Sequence, residues 1–105
     1  MIIAVDFDGT LIEDIQYPST DYILKPGVEE VINNLVKNHT IVLCTARYGW
    51  YFWDAVQFIQ KIKLPILIQQ GKPVADIYID DKNLNCSRID WYEILDQIKT
   101  LEEEN

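Results

Sequence analysis

Cysteine and positive charge are both scarce in this sequence of 105 residues. Only two cysteines occur, and Cys44 lies inside an apolar run, which is typical of a small buried hydrophobic residue. We therefore expect no disulfide and a reducing, cytoplasmic location. Lysine and arginine together number 9 against 17 acidic residues, and the net charge is −8. Because such a chain does not attract a phosphate backbone at long range, nucleic acid is not expected as a partner.

Long hydrophobic runs are also missing. The first apolar run covers residues 2–5 and stops at Asp6, so it is too short for a signal peptide. No apolar stretch approaches the length of a membrane span, and we expect no membrane association. Hydrophobic residues nevertheless make up 49% of the sequence, which is enough for a core. Since there are no repeats and no linkers, residues 1–105 are expected to form one domain.

Four short, nearly continuous apolar runs alternate with segments in which apolar residues have helical spacing. Continuous runs are typical of parallel strands that are covered on both faces. The predicted helices begin near Pro26, after Gly49 and near residue 88. This alternation predicts right-handed crossovers and a small doubly wound, mainly parallel α/β sheet of Rossmann type. The predicted strands are residues 2–6, 40–45, 65–69 and 76–80.

Polar residues stand where these predicted strands end. In doubly wound sheets the ligand site lies outside the carboxyl ends of the strands. Asp6 and Asp8 follow the first run, Thr45 ends the second, and Asp80 and Asp81 end the fourth. Two carboxylates about 4 Å apart repel each other by roughly 4 kcal/mol at an effective dielectric constant of 20. A pair such as Asp6 and Asp8 therefore indicates a cation, a shared proton or a reaction at this edge of the sheet.

The same residues fall into four short motifs. In chain order these are VDFDGTL with Asp6 and Asp8, IVLCTAR with Thr45, QGKPVADIYID with Lys72, and YIDDKN with an acidic pair. Their order resembles that of the haloacid dehalogenase (HAD) superfamily of phosphohydrolases. The four motifs of that superfamily are a strand ending in D-x-D-x-T, a strand ending in Thr or Ser, a lysine, and a strand ending in two acidic residues. The resemblance covers residues 2–83 and implies a HAD-like fold.

The chemistry of phosphate monoesters gives these residues distinct roles. Their uncatalysed hydrolysis is so slow that enzymes must accelerate it by up to about 10²¹-fold. A carboxylate can attack phosphorus and divide the reaction into two easier steps, a role that we assign to Asp6. Asp8 is then placed to protonate the leaving oxygen and afterwards to deprotonate water, which contributes about 10²–10⁴-fold. Thr45 is expected to contact the phosphoryl group, and Lys72 to supply a fixed positive charge. The resemblance implies the same assignment.

Four carboxylates at one edge of a sheet need a positive counter-charge. Oxygen ligands favour a hard cation, so we expect Mg²⁺ as the cofactor. Asp80 is the first candidate for a direct ligand, and Asp81 either binds directly or acts through water. The resemblance implies that Asp8 contributes its main-chain carbonyl rather than its side chain. The full set of predicted metal ligands is Asp6, Asp8, Asp80 and Asp81.

The spacing of the motifs leaves no room for a cap domain. Many members of the superfamily insert one between the first and second motifs or between the second and third, but residues 9–44 and 46–71 are needed for the fold itself. We therefore expect a capless enzyme with an open site. Its substrate would be selected by a flap, residues 11–25, by the loop after Thr45, or by a second copy of the chain in a homo-oligomer.

The loop after Thr45 has the sequence ARYGWYFW. Arg47 could bind a second anionic group of the substrate through two parallel hydrogen bonds. Trp50, Tyr51 or Trp53 could stack on a ring of the substrate, pack the second helix or form a subunit contact, and the sequence leaves these alternatives open. The residues predicted to bind the phosphorylated substrate are Gly9, Thr10, Ala46 and Arg47.

The sequence thus predicts a Mg²⁺-dependent phosphatase that acts on phosphate monoesters through an aspartyl-phosphate. A phosphomutase is disfavoured because it usually needs a cap to reorient its intermediate. The alternative is a non-catalytic or receiver-like Mg²⁺-binding domain that accepts a phosphoryl group. In a receiver, however, the acidic pair follows the first strand and the acceptor aspartate lies near the middle of the chain, the reverse of the order here. We expect Asp54 and Asp76 to be ordinary surface acids and His39 to be a turn residue.

Overall fold

The computed structural model describes residues 1–69, 71, 73–80 and 90–103, and within them the chain forms an α/β structure of alternating strands and helices. The strands are β1 (Ile2–Val5), β2 (Thr40–Leu43) and β3 (Ile77–Ile79), and the helices are α1 (Val28–Leu35), α2 (Gly49–Lys61) and α3 (Trp91–Glu103). In this described part of the chain, no helix is both long enough and apolar enough to cross a membrane.

The strands form a parallel sheet in the order β2-β1-β3, as the alternation predicted. Val5 near the end of β1 lies opposite Leu43 of β2 and Ile79 of β3. The ladder continues one residue further on both sides, because Asp6 N donates to Ile79 O at 3.0 Å and Cys44 N donates to Val5 O at 2.7 Å. The three strands therefore end side by side, and the residues that follow them meet at one edge of the sheet.

The predicted strand at residues 65–69 is wrong in extent. Only Leu67 pairs with β2, through its hydrogen bonds with Ile41 O at 2.8 Å and Leu43 N at 2.9 Å. Before that point the chain turns, since Ile66 N donates to Leu64 O and Pro65 has no N–H. The turn thus uses main-chain groups that would have to pair with β2 if the strand began at residue 65.

The core contains one face of the sheet together with the buried side chains of all three helices. On the other face, Val42, Ala4 and Tyr78 lie in register across the three strands. Val42 and Ala4 are buried outside the core cluster. Tyr78 on this face accepts a hydrogen bond from Ala75 N and donates one to Pro73 O, so a loop packs there. Within the described residues, a sheet that is covered by helices on both faces stays a prediction.

The helices follow the predicted apolar stripes closely. Gly27 precedes α1 with a φ of 84°, and a Cβ at this position would lie 2.8 Å from the ring of Tyr92, so glycine suits both the backbone and the packing. In α3, Leu95 is half-buried and packs against the core, whereas Leu101 is exposed. The buried helical residues are Val28, Val31, Ile32 and Leu35 in α1, Phe52, Ala55, Val56 and Ile59 in α2, and Trp91, Ile94 and Ile98 in α3.

Trp91 connects α3 to the turn that follows β1. Its side chain is 1% exposed, and its indole Nε1 donates to Thr10 O at 3.0 Å. Because Thr10 is only two residues after Asp8, this hydrogen bond helps to hold the turn that carries the first motif. Removing the indole would leave both a cavity and an unpaired buried carbonyl.

We predict that Trp91→Phe lowers the free energy of unfolding by about 2 kcal/mol, since it loses buried volume and the hydrogen bond to Thr10 O. Trp53 is the matched control because it is half exposed on α2. Trp53→Phe should cost less than about 0.5 kcal/mol. Urea unfolding of the three proteins measures both values, and equal losses would contradict the anchoring role of Trp91.

Candidate active site

The ends of the three strands surround a cavity of about 360 Å³. Asp6 follows β1, Thr45 follows β2 and Asp80 follows β3, and the side chains of these residues are half-buried. The prediction that these three residues meet at one edge of the sheet is therefore confirmed. The remaining lining residues are Ala4, Cys44, Ala46, Gly71, Tyr78 and Ile79.

Asp6 is held firmly at the centre of this edge. Its main-chain N–H continues the sheet by donating to Ile79 O. Its carboxylate Oδ1 accepts a hydrogen bond from Phe7 N at 2.7 Å. The side chain thus has a fixed direction at the end of the central strand. A nucleophile needs this fixed placement, because a reacting oxygen must be held close to the atom that it attacks.

Cys44, predicted to be a buried hydrophobic residue, is only half-buried and lines the same cavity. It is a free thiol. The period-two alternation of β2 explains this position, since Leu43 points into the core and the next side chain points to the opposite face.

A tight turn directly after β1 sets the position of Asp8. The carbonyl of Phe7 accepts hydrogen bonds from three successive N–H groups, those of Thr10, Leu11 and Ile12, at 3.0 to 3.3 Å. Gly9 has a φ of 70°, a conformation that glycine adopts without strain. The turn places Asp8 beside the strand ends rather than out in solvent.

Thr10 was predicted to bind substrate, but its side chain is fully buried. Its hydroxyl has no hydrogen-bond partner among the described residues. Its main-chain N–H and carbonyl are both used within the protein, by Phe7 and Trp91. The structure therefore gives no support to a contact between Thr10 and substrate in this conformation.

Asp8 forms a bidentate ion pair with Arg47. Arg47 Nε lies 2.7 Å from Asp8 Oδ2, and Arg47 Nη2 lies 2.6 Å from Asp8 Oδ1. The side chain of Arg47 is 3% exposed, whereas that of Asp8 is 38% exposed. Such a two-point contact fixes the plane of the carboxylate as well as its position. The carboxylate still faces solvent on one side.

The rest of the Arg47 guanidinium is enclosed by aromatic residues and hydrogen-bond acceptors. Nη1 donates to Tyr22 Oη at 2.9 Å and to Tyr51 O at 3.1 Å. The guanidinium carbon lies 3.6 Å from the ring centre of Tyr51 and 4.7 Å from that of Phe7, which is a favourable cation–π arrangement. Burial alone would lower the pKa of Arg47, but the hydrogen bonds with Asp8 and Tyr22 outweigh it and raise the pKa.

These contacts give Arg47 a different role from the predicted one. With its contacts to Asp8, Tyr22 and Tyr51, the guanidinium uses all but one of its N–H donors. A second anionic group of the substrate would have to compete with Asp8 for them. We therefore assign Arg47 to the positioning of Asp8 rather than to the binding of substrate.

Tyr22 and Asp54 extend this ion pair into a chain of four residues. Tyr22 Oη accepts from Arg47 and donates to Asp54 Oδ2. Burial, and then the hydrogen bond to Asp54, raise the pKa of Tyr22 to about 12. The expectation that Asp54 is an ordinary surface acid was therefore wrong. A helical repeat places Asp54 one turn after Tyr51 of the same site, and this spacing was the available signal in the sequence.

Asp76 and His39 have structural contacts. Asp76, expected to be an ordinary surface acid, accepts a hydrogen bond through Oδ2 from Ile2 N at 2.7 Å, which joins the beginnings of β1 and β3. His39 lies in the turn before β2, as predicted, where its Nδ1 is 3.1 Å from the Met1 amino group. Its Nε2 contacts Glu102 of α3.

A second cavity, of about 550 Å³, is lined by Asp8. The flap and α2 form its walls, and Tyr51 Oη joins these two elements by donating to Ser19 O at 3.1 Å. Ala46 lines both cavities, so they are neighbours. The lining residues are Asp8, Tyr17, Ala46, Arg47, Tyr48, Gly49, Trp50 and Tyr51.

The three aromatic residues of the loop and helix α2 have different environments. Tyr51 packs against Arg47 and against Tyr17, with a ring distance of 4.9 Å to the latter. Trp50 is 54% exposed and lies in the second cavity. Trp53 is 51% exposed, does not line this cavity, and packs against Phe52. Of the alternatives that the sequence left open, packing of α2 on the sheet is not what Tyr51 does, since it joins α2 to the flap, and stacking on a ligand is open to Trp50.

The structure brings together only some of the side chains that were predicted to bind a metal ion. The carboxylates of Asp6 and Asp80 line one cavity. The carboxylate of Asp8 instead contacts Arg47. In the part of the chain that the structure describes, no three Asp, Glu, His or Cys side chains are grouped to hold a metal ion. Asp81 and Lys72 lie outside the described residues, and their predicted roles stay predictions.

No family model and no curated protein matches this chain. A solved structure of a conserved protein coded by a locus from Bacteroides thetaiotaomicron is similar to it, with a TM-score of 0.78 and 29% sequence identity. The similarity covers 95% of this chain and 90% of that chain. The two proteins therefore share a small α/β fold with a parallel sheet over nearly their whole lengths.

The ion pair between Asp8 and Arg47 should couple the two residues in stability. We predict a coupling free energy of about 1–3 kcal/mol from a double-mutant cycle with Asp8→Ala and Arg47→Ala. The reason is that each single variant leaves one charged partner without its counter-charge. The exposed contact of Tyr92 with Glu30 is the control, since Tyr92→Phe and Glu30→Gln should couple by less than about 0.5 kcal/mol. Additive effects in both cycles, measured by urea unfolding, would contradict this role for the pair.

The raised pKa of Tyr22 predicts a loss of stability at alkaline pH. Its folded pKa of about 12 exceeds the ordinary value of 10.0, so its contribution to stability is complete below pH 10 and is lost as the pH rises toward 12. The stability advantage of the wild type over Tyr22→Phe should therefore shrink above pH 10. Unfolding curves at a series of pH values measure it, and an advantage that grows with pH would have the wrong sign.

Proposed function

We propose that this protein is a HAD-like, Mg²⁺-dependent phosphatase that hydrolyses phosphate monoesters through an aspartyl-phosphate on Asp6. One observation carries the proposal: Asp6, Thr45 and Asp80 come from the ends of three different strands and line one cavity, with Asp8 immediately beside it. The order of these residues along the chain supports the same conclusion through its resemblance to the superfamily.

In the first step, a carboxylate oxygen of Asp6 attacks phosphorus, and the bond between phosphorus and the leaving oxygen breaks. The hydrogen bond from Phe7 N fixes the carboxylate while it reacts. Asp8, protonated at this stage, gives its proton to the leaving oxygen. Thr45 lines the same cavity, where its hydroxyl can donate to a phosphoryl oxygen. Its Oγ1 also accepts from Arg47 N at 3.1 Å, which orients the hydroxyl.

In the second step, water attacks the phosphorus of the aspartyl-phosphate and the bond to Asp6 breaks. Asp8 accepts the proton of that water and so returns to its protonated form for the next cycle. Arg47 occupies one lone pair on each oxygen of Asp8, and a carboxylate has about four such positions. Arg47 does not use the remaining positions, and the Asp8 side chain is 38% exposed, so Arg47 can orient Asp8 without blocking the transfer of a proton.

Mg²⁺, when bound, would reduce the repulsion between the Asp6 carboxylate and the phosphoryl anion. The residues that would hold it are Asp6, Asp80 and the main-chain carbonyl of Asp8, with Asp81 as a further predicted ligand. Oxygen donors of this kind suit a hard cation. The ion pair with Arg47 keeps the Asp8 side chain for proton transfer and leaves the side chains of Asp6 and Asp80 for the cation.

We predict that the wild type releases phosphate from p-nitrophenyl phosphate only in the presence of Mg²⁺, and that Asp6→Asn reduces kcat by at least about 10³-fold, because an amide is not a nucleophile toward phosphorus. A chelator should abolish the wild-type activity. Asp96→Asn on the exposed face of α3 is the control and should retain both activity and stability.

Either of two results would refute the mechanism. One is phosphate release that persists in Asp6→Asn. The other is a folded wild type that releases no phosphate with Mg²⁺ from any of a panel of aryl and alkyl phosphates. The second result would favour the phospho-accepting or binding alternative.

A further inference from the structure

We propose that the second cavity binds the leaving group, and that the preferred substrates are phosphate monoesters whose leaving group is a planar, uncharged aromatic ring. This inference rests on the proposed function, since it presumes that the phosphoryl group occupies the cavity lined by Asp6. The second cavity is lined by Asp8, Tyr17, Ala46, Arg47, Tyr48, Gly49, Trp50 and Tyr51, and we call it the aromatic cavity.

The residues that line the two cavities indicate that the leaving group enters the aromatic cavity. In phosphoryl transfer the attacking and leaving oxygens lie roughly in line on opposite sides of phosphorus. If Asp6 attacks from the strand ends, the leaving oxygen must depart toward the residue that protonates it, which is Asp8. Asp8 lines the aromatic cavity and not the first one, while Ala46 lines both. A group attached to the leaving oxygen therefore lies in the aromatic cavity.

The walls of this cavity suit a flat apolar ring. Tyr17 and Trp50 lie with their ring centres 6.0 Å apart, and both rings are mostly exposed to solvent. Trp50 also packs edge-on against Tyr51 at 5.2 Å, so its position is set before a ligand binds. Stacking would bury apolar surface that these rings now present to water. The volume of about 550 Å³ is in the usual range for a pocket that holds a small molecule.

The described residues of the cavity offer little to a second anionic group. Among them, Arg47 is the only basic residue. Its guanidinium already contacts Asp8, Tyr22 and Tyr51. Within the described residues, a diphosphate or bisphosphate thus meets one basic side chain, and four of its five N–H donors are already used. An uncharged ring gains from the aromatic walls and needs no basic side chain.

The test compares the binding of two non-hydrolysable probes, phenylphosphonate and methylphosphonate, by isothermal titration calorimetry in the presence of Mg²⁺. Neither probe has a leaving oxygen, so the comparison isolates the ring. We expect the wild type to bind phenylphosphonate at least about 10-fold more tightly than methylphosphonate. Trp50→Ala should reduce this preference by about 3- to 10-fold, and Trp50→Phe should keep most of it.

Trp53→Ala is the matched control, because Trp53 lies on the same helix and is equally exposed but does not line the cavity. It should keep the full preference for phenylphosphonate. The inference is overturned if the wild type binds both probes equally or binds neither. It is also overturned if Trp53→Ala and Trp50→Ala lose the preference to the same extent while both remain folded by urea unfolding.

The binding test separates this inference from the proposed function. If Asp6→Asn retains phosphate release but the preference for phenylphosphonate depends on Trp50, the mechanism is wrong. The assignment of the aromatic cavity as the site that binds the ring is then still supported. If phosphate release depends on Asp6 but the two probes bind equally, the phosphatase stands and the cavity assignment is wrong. A tyrosine-phosphate peptide and free phenyl phosphate, compared as substrates, then distinguish a protein from a small molecule as the source of the ring.

Discussion

The ion pair between Asp8 and Arg47 is the interaction on which the rest of this site depends. It holds the nearly buried guanidinium of Arg47 between the first motif and helix α2. It also fixes the carboxylate of Asp8, which lies two residues after Asp6, the candidate nucleophile. A buried arginine is costly unless its charge is compensated and its donors are used. Here Asp8 compensates the charge, while Tyr22, Tyr51 and Phe7 enclose the rest of the group. The flap, the first motif and α2 are thereby held in one arrangement.

This arrangement divides the edge of the sheet into two parts with different chemistry. On one side, Asp6, Thr45 and Asp80 present oxygen atoms that suit a phosphoryl group and a cation. On the other side, aromatic rings line a larger cavity that suits an uncharged group. Asp8 lines the second cavity, and in the proposed mechanism it passes a proton to the leaving group. In the proposed enzyme, selectivity would come from the flap and from the loop that follows β2.

The sequence predicts the parts of this account that depend on local pattern and fails where distant side chains meet. Apolar periodicity identified the buried stripes of α1 and α2, and the polar ends of parallel strands identified Asp6, Thr45 and Asp80. The contact between Arg47 and Asp8 joins residues far apart in the chain, and both sequence neighbourhoods are compatible with other roles. The functions of Tyr22 and Asp54 depend on that contact, so they could not be inferred before it was known. At residues 65–69, only Leu67 pairs with β2, because the chain turns just before it. The apolar composition of this segment gives no sign of that turn.

Locating the covalent intermediate would show directly whether Asp6 is the nucleophile. The protein would be quenched in acid during turnover of phenyl phosphate with Mg²⁺ and treated with borohydride, which reduces an acyl phosphate of aspartate to homoserine. Tandem mass spectrometry then identifies the modified position. If Asp6 forms the aspartyl-phosphate, we expect homoserine in place of Asp6 and at no other aspartate. A modification at another carboxylate, or a phosphoryl group on a hydroxyl or amine, would contradict it.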